Sequence, residues 1–178
     1  MSLARTLTTL AAVGTCISAH AQVGNNSGVL NPDLATEAEL SAVPHLDSRL
    51  VGAIIEQRPF ADMSEVDSLL SSLSETQRDE TYVKLFLPIN LNSASRAEIL
   101  LIPDVNERMA HEFEEYRPYT SLEQFRREIG KYVDVAEVAR LEQYVFVPLD
   151  LNSATGEAFL TIPGVGARIT VSSRSTSA

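Results

Sequence analysis

The chain has 178 residues, 44% of them hydrophobic, and a formal net charge of −10. That length holds one ordinary domain or two small ones, and no apolar run is long enough to form a permanent membrane span. The acidic balance opposes long-range attraction to nucleic acid or anionic lipid, and a single cysteine, Cys16, excludes a disulfide framework within the chain.

The first 21 residues read as a secretory signal peptide. They carry an early Arg5, a Thr-rich apolar core and a small-x-small end, Ala19-His20-Ala21. Cleavage after Ala21 is expected, which exports the protein to the periplasm or the extracellular space. A lipoprotein anchor at Cys16 is the second reading, because Val13-Gly14-Thr15 fit such a signal poorly. Removal of residues 1–21 takes Cys16 with it, so the mature chain has no thiol nucleophile and no Cys metal ligand. It also takes Arg5, leaving 13 basic residues against 24 acidic ones and a charge of −11. Residues 22–29 are a linker.

The next feature is self-similarity at a fixed period. Three stretches align: "DLATEAELSAVPHLDSRL" from Asp33, "NSASRAEILLIPDVNERM" from Asn92 and "NSATGEAFLTIPGVGARI" from Asn152. Anchors recur at 59 and 60 residues: Thr36, Ser95, Thr155; Pro44, Pro103, Pro163; Arg49, Arg108, Arg168. The first two copies continue alike through Arg58-Pro59-Phe60 and Arg117-Pro118-Tyr119, and close on "LFLPINLN" and "VFVPLDLN". The organisation expected is a first unit over 30–88, a second over 89–148, a partial third over 149–169, and a disordered Ser/Thr tail over 170–178.

Within a unit, Thr36 with Glu39 and Ser95 with Glu98 form capping boxes that open a short helix. The helix ends near the Pro, a tight turn follows, and a second helix buries Leu50 and Ile54, or Met109 and Phe113. The Arg-Pro pair stops it. A third helix carries Met63, Val66, Leu70 and Leu73, matched by Leu122, Phe125, Ile129 and Tyr132. A last helix carries Val83 and Phe86, or Val138, Leu141 and Val145. No strand stands out, so the fold class expected is all-α.

These motifs resemble the helix-hairpin-helix family, in the tandem form of the competence-type DNA receptors of bacteria. The pattern is an "N-x-A-[ST]" start, a Leu-rich helix, "P-G-[IV]-G", a second helix and "R-x-[PF]"; "LNSATGEAFLTIPGVGAR" matches its first part closely. The resemblance spans nearly all of residues 30–169. It implies sequence-independent binding to the DNA backbone without catalysis. In the family, a Gly-hydrophobic-Gly turn presents amides to a phosphate beside a basic residue. The physical basis is sound: a helix N-terminus has free N–H groups and partial positive charge.

The third hairpin has the residues for that role: Gly164, Val165, Gly166 and Arg168. The first two read His45-Leu46-Asp47 and Asp104-Val105-Asn106 and lack both glycines. Leu46 and Val105 keep the apolar plug. Asp47 and Asn106 are strong N-caps whose side chains can take up the amides a phosphate would use. The third hairpin keeps the chemistry but is followed by "TVSSRSTSA", which is poor in helix formers. Weaker phosphate candidates are Arg126, Arg127 and Lys131 in "FRREIGKY", where a solvated helix face is the favoured reading. For Arg49 and Arg108 a salt bridge or solvation is the simpler role.

"HEFEEYR" has Glu115 where a zincin needs its second His, so His111 makes no metal motif. Nucleophile elbow and Walker loop are both missing. The reading is a non-enzyme without cofactor, metal or small-molecule substrate. Its partner is duplex DNA, bound weakly through the backbone at residues 162–168; the alternative is a protein partner on a scaffold with degenerate hairpins. Export makes the first testable expectation. N-terminal sequencing of protein from the native host should begin at Gln22; a retained Met1 in a cytoplasmic fraction would sink the signal-peptide reading.

Overall fold

The computed structural model describes residues 21–23 and 28–149. The partial third unit from residue 150 onward, the tail and nearly all of the signal segment lie outside the described residues. Within them the chain is mostly helical. Residues 28–88 contain α1 (Glu37–Ser41), α2 (Ser48–Gln57), α3 (Met63–Leu69) and α4 (Glu75–Tyr82). Residues 89–149 contain α5 (Arg96–Ile99), α6 (Glu107–Glu115), α7 (Leu122–Ile129) and α8 (Val135–Glu142).

Each helix start is chemically marked. Thr36 with Glu39 and Ser95 with Glu98 close the expected capping boxes. A third box, Ser74 with Gln77, opens α4, and Asp134 caps α8 in the same place. Asp62 and Ser121 cap α3 and α7. All eight helices among the described residues are ten residues or shorter, too short to be stable alone. Their persistence depends on caps and on burial.

The predominance of helix agrees with the all-α expectation, and short strands are present beside the helices. β2 (Ile89–Asn90) runs parallel to β3 (Val145–Leu149), pairing Ile89 with Val145 and Asn90 with Phe146. β1 (Ala21–Val23) lies antiparallel on the other edge of β3. A single parallel bridge joins Leu30 to Leu85. β2 and β3 come from the closing segments "LFLPINLN" and "VFVPLDLN". Leu85, Phe86, Leu87, Ile89, Leu91, Val145 and Val147 are all buried. Backbone carried into a core this way must pair its N–H and C=O groups. Each closing segment does so with the segment that opens its own half: Leu30 N–H donates to Lys84 O and Ile89 N–H to Tyr144 O. The closing residues of the first half lead straight into the opening residues of the second. One continuous apolar cluster therefore spans both halves. Phe86 meets Tyr144 edge to face, ring centroids 5.1 Å apart, where the halves join.

Two helix assignments also shift. α4 ends at Tyr82, so Val83 points out and Phe86 reaches the core from the closing segment. In the second half, Val133 packs on the core where Leu73 does in the first, and Tyr132 is exposed. One extra residue in the turn after α7 causes this: the N-caps Ser74 and Asp134 stand 60 residues apart, whereas Asp62 and Ser121 stand 59 apart.

An arginine ties each half together from within. Arg58 donates from Nε to Pro32 O (2.6 Å) and from Nη2 to Ala35 O (2.6 Å). Arg117 donates likewise to Leu91 O (2.6 Å) and Ala94 O (2.7 Å). The acceptors are carbonyls in the turn that precedes α1 or α5, and the planar guanidinium fork matches two of them at once. The next residues are latched to the same turn: Phe60 N–H donates to Asp33 Oδ1 and Tyr119 N–H to Asn92 Oδ1. The Arg58-Pro59 and Arg117-Pro118 bonds are both cis. Replacing Arg117 with Lys should lower stability by about 2–3 kcal/mol, because a point charge cannot serve two carbonyls and one is left unpaired. Urea denaturation of wild type and variant measures this directly; an unchanged midpoint would show the clamp to be dispensable.

Candidate functional site

The hairpins occupy the α1–α2 and α5–α6 junctions. Each is built by successive turn bonds. Val43 N–H donates to Leu40 O and Leu46 N–H to Val43 O; Ile102 N–H donates to Ile99 O and Val105 N–H to Ile102 O. Leu46 is buried, and Val105 is half-buried against the core. The apolar residue therefore anchors the turn from below, as its chemistry requires.

The first hairpin residue has a positive φ in both: 66° at His45 and 62° at Asp104. That left-handed conformation costs an L-residue roughly 1–2 kcal/mol. Glycine at this position relieves strain, quite apart from letting a phosphate approach. The aligned residue of the third hairpin is Gly164.

At the second glycine position, Asp47 Oδ1 accepts from Leu50 N–H at 2.8 Å and Asn106 Oδ1 from Met109 N–H at 3.0 Å. Each cap takes one of the amides that would face an anion. Asp47 adds a negative charge at the same place, which repels a phosphate.

A further lock comes from the last helix of each half. Thr81 Oγ1 shares its one hydrogen between Gln77 O (2.8 Å) and Pro44 O (3.1 Å), and Arg140 Nη1 donates to Pro103 O (2.8 Å). His45 pairs with Glu80 on α4, Nε2 to Oε2 2.5 Å. In the second half the corresponding helix position is Arg140 on α8, which pairs with Glu137 and not with the hairpin residue Asp104. Sequence reasoning missed the His45–Glu80 pair, whose members lie 35 residues apart and meet only where the helix returns.

The weaker basic candidates are all engaged by carboxylates. Arg126 makes a two-pronged pair with Glu142, Nε to Oε2 2.7 Å and Nη2 to Oε1 2.6 Å, and Glu142 is buried. Arg127 and Lys131 both pair with Glu128. The Lys131 bond and then the Arg127 bond hold the Glu128 carboxyl below the usual range. Lys131 also lies over the Tyr116 ring, 4.8 Å from its centroid. Arg49 donates to Ser72 Oγ at 3.4 Å. Arg108 is exposed and makes no ion pair among the described residues. His111 faces Glu115 at 3.6 Å on the helix surface. Gly164, Val165, Gly166 and Arg168 lie outside the described residues. Among the described residues no cluster of His, Cys, Asp and Glu could hold a metal ion, and no helix is long and apolar enough to cross a membrane.

No family model, curated protein or solved structure matches the chain.

The hairpin geometry separates two substitutions that look alike in sequence. Asn106→Ala should cost about 1 kcal/mol through the lost cap. Asp104→Gly should cost nothing net, since relief of the positive φ offsets the flexibility of glycine in the unfolded chain. Thermal melts of the two variants provide the comparison, and a larger loss from Asp104→Gly would contradict the strain argument.

Proposed function

We propose that the chain is an exported, non-catalytic helix-hairpin-helix scaffold. Residues 30–88 and 89–148 are its two complete units, and residues 149–169 are a partial third. The first two hairpins serve the fold rather than DNA. The observation that carries this reading is the capping bond: Asp47 and Asn106 turn their own oxygens onto the helix-start amides. An amide already bonded inside the protein gains little from a phosphate, and the phosphate must also displace a carboxylate at Asp47. The pairing of Arg126, Arg127 and Lys131 with Glu142 and Glu128 supports it too, because their charge is already spent on internal partners. The surface that remains suits a protein partner better than a polyanion.

Contact with duplex DNA belongs, in this proposal, to the third hairpin alone. Gly164, Val165, Gly166 and Arg168 retain the phosphate chemistry in sequence. One hairpin touching one or two phosphates should give a log–log salt slope of roughly −1 to −2 and a dissociation constant no tighter than about 10⁻⁴ M in physiological salt. Fluorescence anisotropy of a labelled duplex, titrated with the exported chain at several salt concentrations, tests both figures. Gly164→Asp with Gly166→Asp should abolish what binding there is. Asp104→Gly with Asn106→Gly should open the second hairpin and strengthen it. Wild-type binding in the micromolar range at physiological salt, insensitive to Gly164 and Gly166, would overturn the scaffold reading.

A further inference from the structure

The chain ahead of the first helix reaches across to the second half of the fold. β1 pairs with the outer edge of β3, Ala21 with Leu149, Gln22 with Pro148 and Val23 with Val147. Gly28 packs so closely on Gln143, the residue that closes α8, that a Cβ there would meet its side-chain amide. Leu30 then enters the first half by its bridge to Leu85. Residues 21–23 and residue 28 thus both lie against the second half.

The β1–β3 pairing can be resolved bond by bond. Successive residues of a strand turn their N–H and C=O groups to opposite edges. Tyr144 O and Phe146 O accept from Ile89 and Leu91 N–H, so these residues face β2. Pro148 has no N–H to give. Val147 and Leu149 therefore face β1 and form the hydrogen-bonded pairs with Val23 and Ala21. The first half closes the matching edge differently. Leu87, 60 residues before Val147, donates its N–H to the Met63 sulfur at 3.4 Å. The residue aligned with Met63 is Leu122, which has no acceptor to offer. Val147 is buried, so its N–H needs another partner, and β1 brings one.

β1 also contains the bond between Ala21 and Gln22, at which the signal peptide is expected to be cut. A protease must seat several residues around that bond in its own cleft. A bond paired inside folded structure is cut only when that structure opens locally. Resting on the exported reading proposed above, we infer that β1 hides the cleavage bond once the second half has folded. The signal peptide has to leave before β1 settles on β3, and a precursor that folds first keeps it. Cleavage removes Ala21, the partner of Leu149, and leaves Val23 on Val147.

Signal peptidase, added to the folded full-length precursor and to an unfolded peptide of residues 1–27, measures the shielding. The peptide should be cut after Ala21. The folded precursor should be cut at least about tenfold more slowly, the worth of one or two paired backbone bonds. Leu149→Pro removes the N–H that faces Ala21 and leaves the signal sequence untouched, so it should speed cleavage of the folded precursor several-fold. Amide exchange gives a second reading. The Leu149 N–H should be protected in the precursor and exchange freely in the mature chain that begins at Gln22. A folded precursor cut as fast as the peptide would overturn the inference and leave the signal-peptide reading standing. So would an unchanged rate in Leu149→Pro, or a Leu149 amide that exchanges alike in both chains. A peptide left whole would overturn the signal-peptide reading, and the inference with it.

Discussion

The fold depends on an arginine that faces inward. A four-helix half with helices of ten residues or fewer has little cooperative strength of its own. Its opening turn must be fixed before α1 or α5 can start in the right direction. Arg58 and Arg117 do this by gripping two carbonyls of that turn. The grip joins the chain before the first helix to the chain after the second. The hairpin between those helices is thereby held at both ends, and its tip can adopt a strained φ. Two of the chain's 14 basic residues are committed to this internal task and are lost to any surface role.

The hairpins show a competition for the same groups. A helix start offers amides, and something must take them. In a phosphate-binding hairpin the ligand takes them, and glycines keep the space open. Here Asp47 and Asn106 take them from within. The stability gained by capping is then the affinity lost for an anion. The same economy governs the cations. With acidic residues in excess, Glu142, Glu128, Glu137, Glu107 and Glu114 engage Arg126, Arg127, Lys131, Arg140 and Arg96. Attraction for a distant polyanion is weak on both counts.

The two halves share a plan but not a chemistry. Each closes by a parallel pairing of its last segment with its first. Each ties its hairpin carbonyl to its last helix, through a neutral hydroxyl in one and a guanidinium in the other. The His45–Glu80 pair of the first half has no ion-pair counterpart at Asp104, since Arg140 pairs with Glu137 instead. Side-chain contacts thus differ between the halves while the backbone plan stays the same.

Much of this was legible in the sequence because it is local. Capping boxes at Thr36 and Ser95, N-caps at Asp47 and Asn106, and apolar plugs at Leu46 and Val105 all follow from residues within a turn of one another. The 59- and 60-residue spacing placed the two halves in register. What escaped was non-local. Arg58 and Arg117 read only as helix stops, since their carbonyl partners lie 23 and 26 residues away. Phe86 and Val145 of the closing segments were assigned to the last helix of each unit, since a strand of two to five residues has no period to detect and exists only where a partner segment returns beside it. Tyr132 was aligned with Leu73, because a one-residue insertion in a turn leaves helical spacing intact on either side. Local chemistry determined the caps and the turns; the return of the chain on itself decided which charges meet, which backbone pairs, and which basic residues remain free to bind.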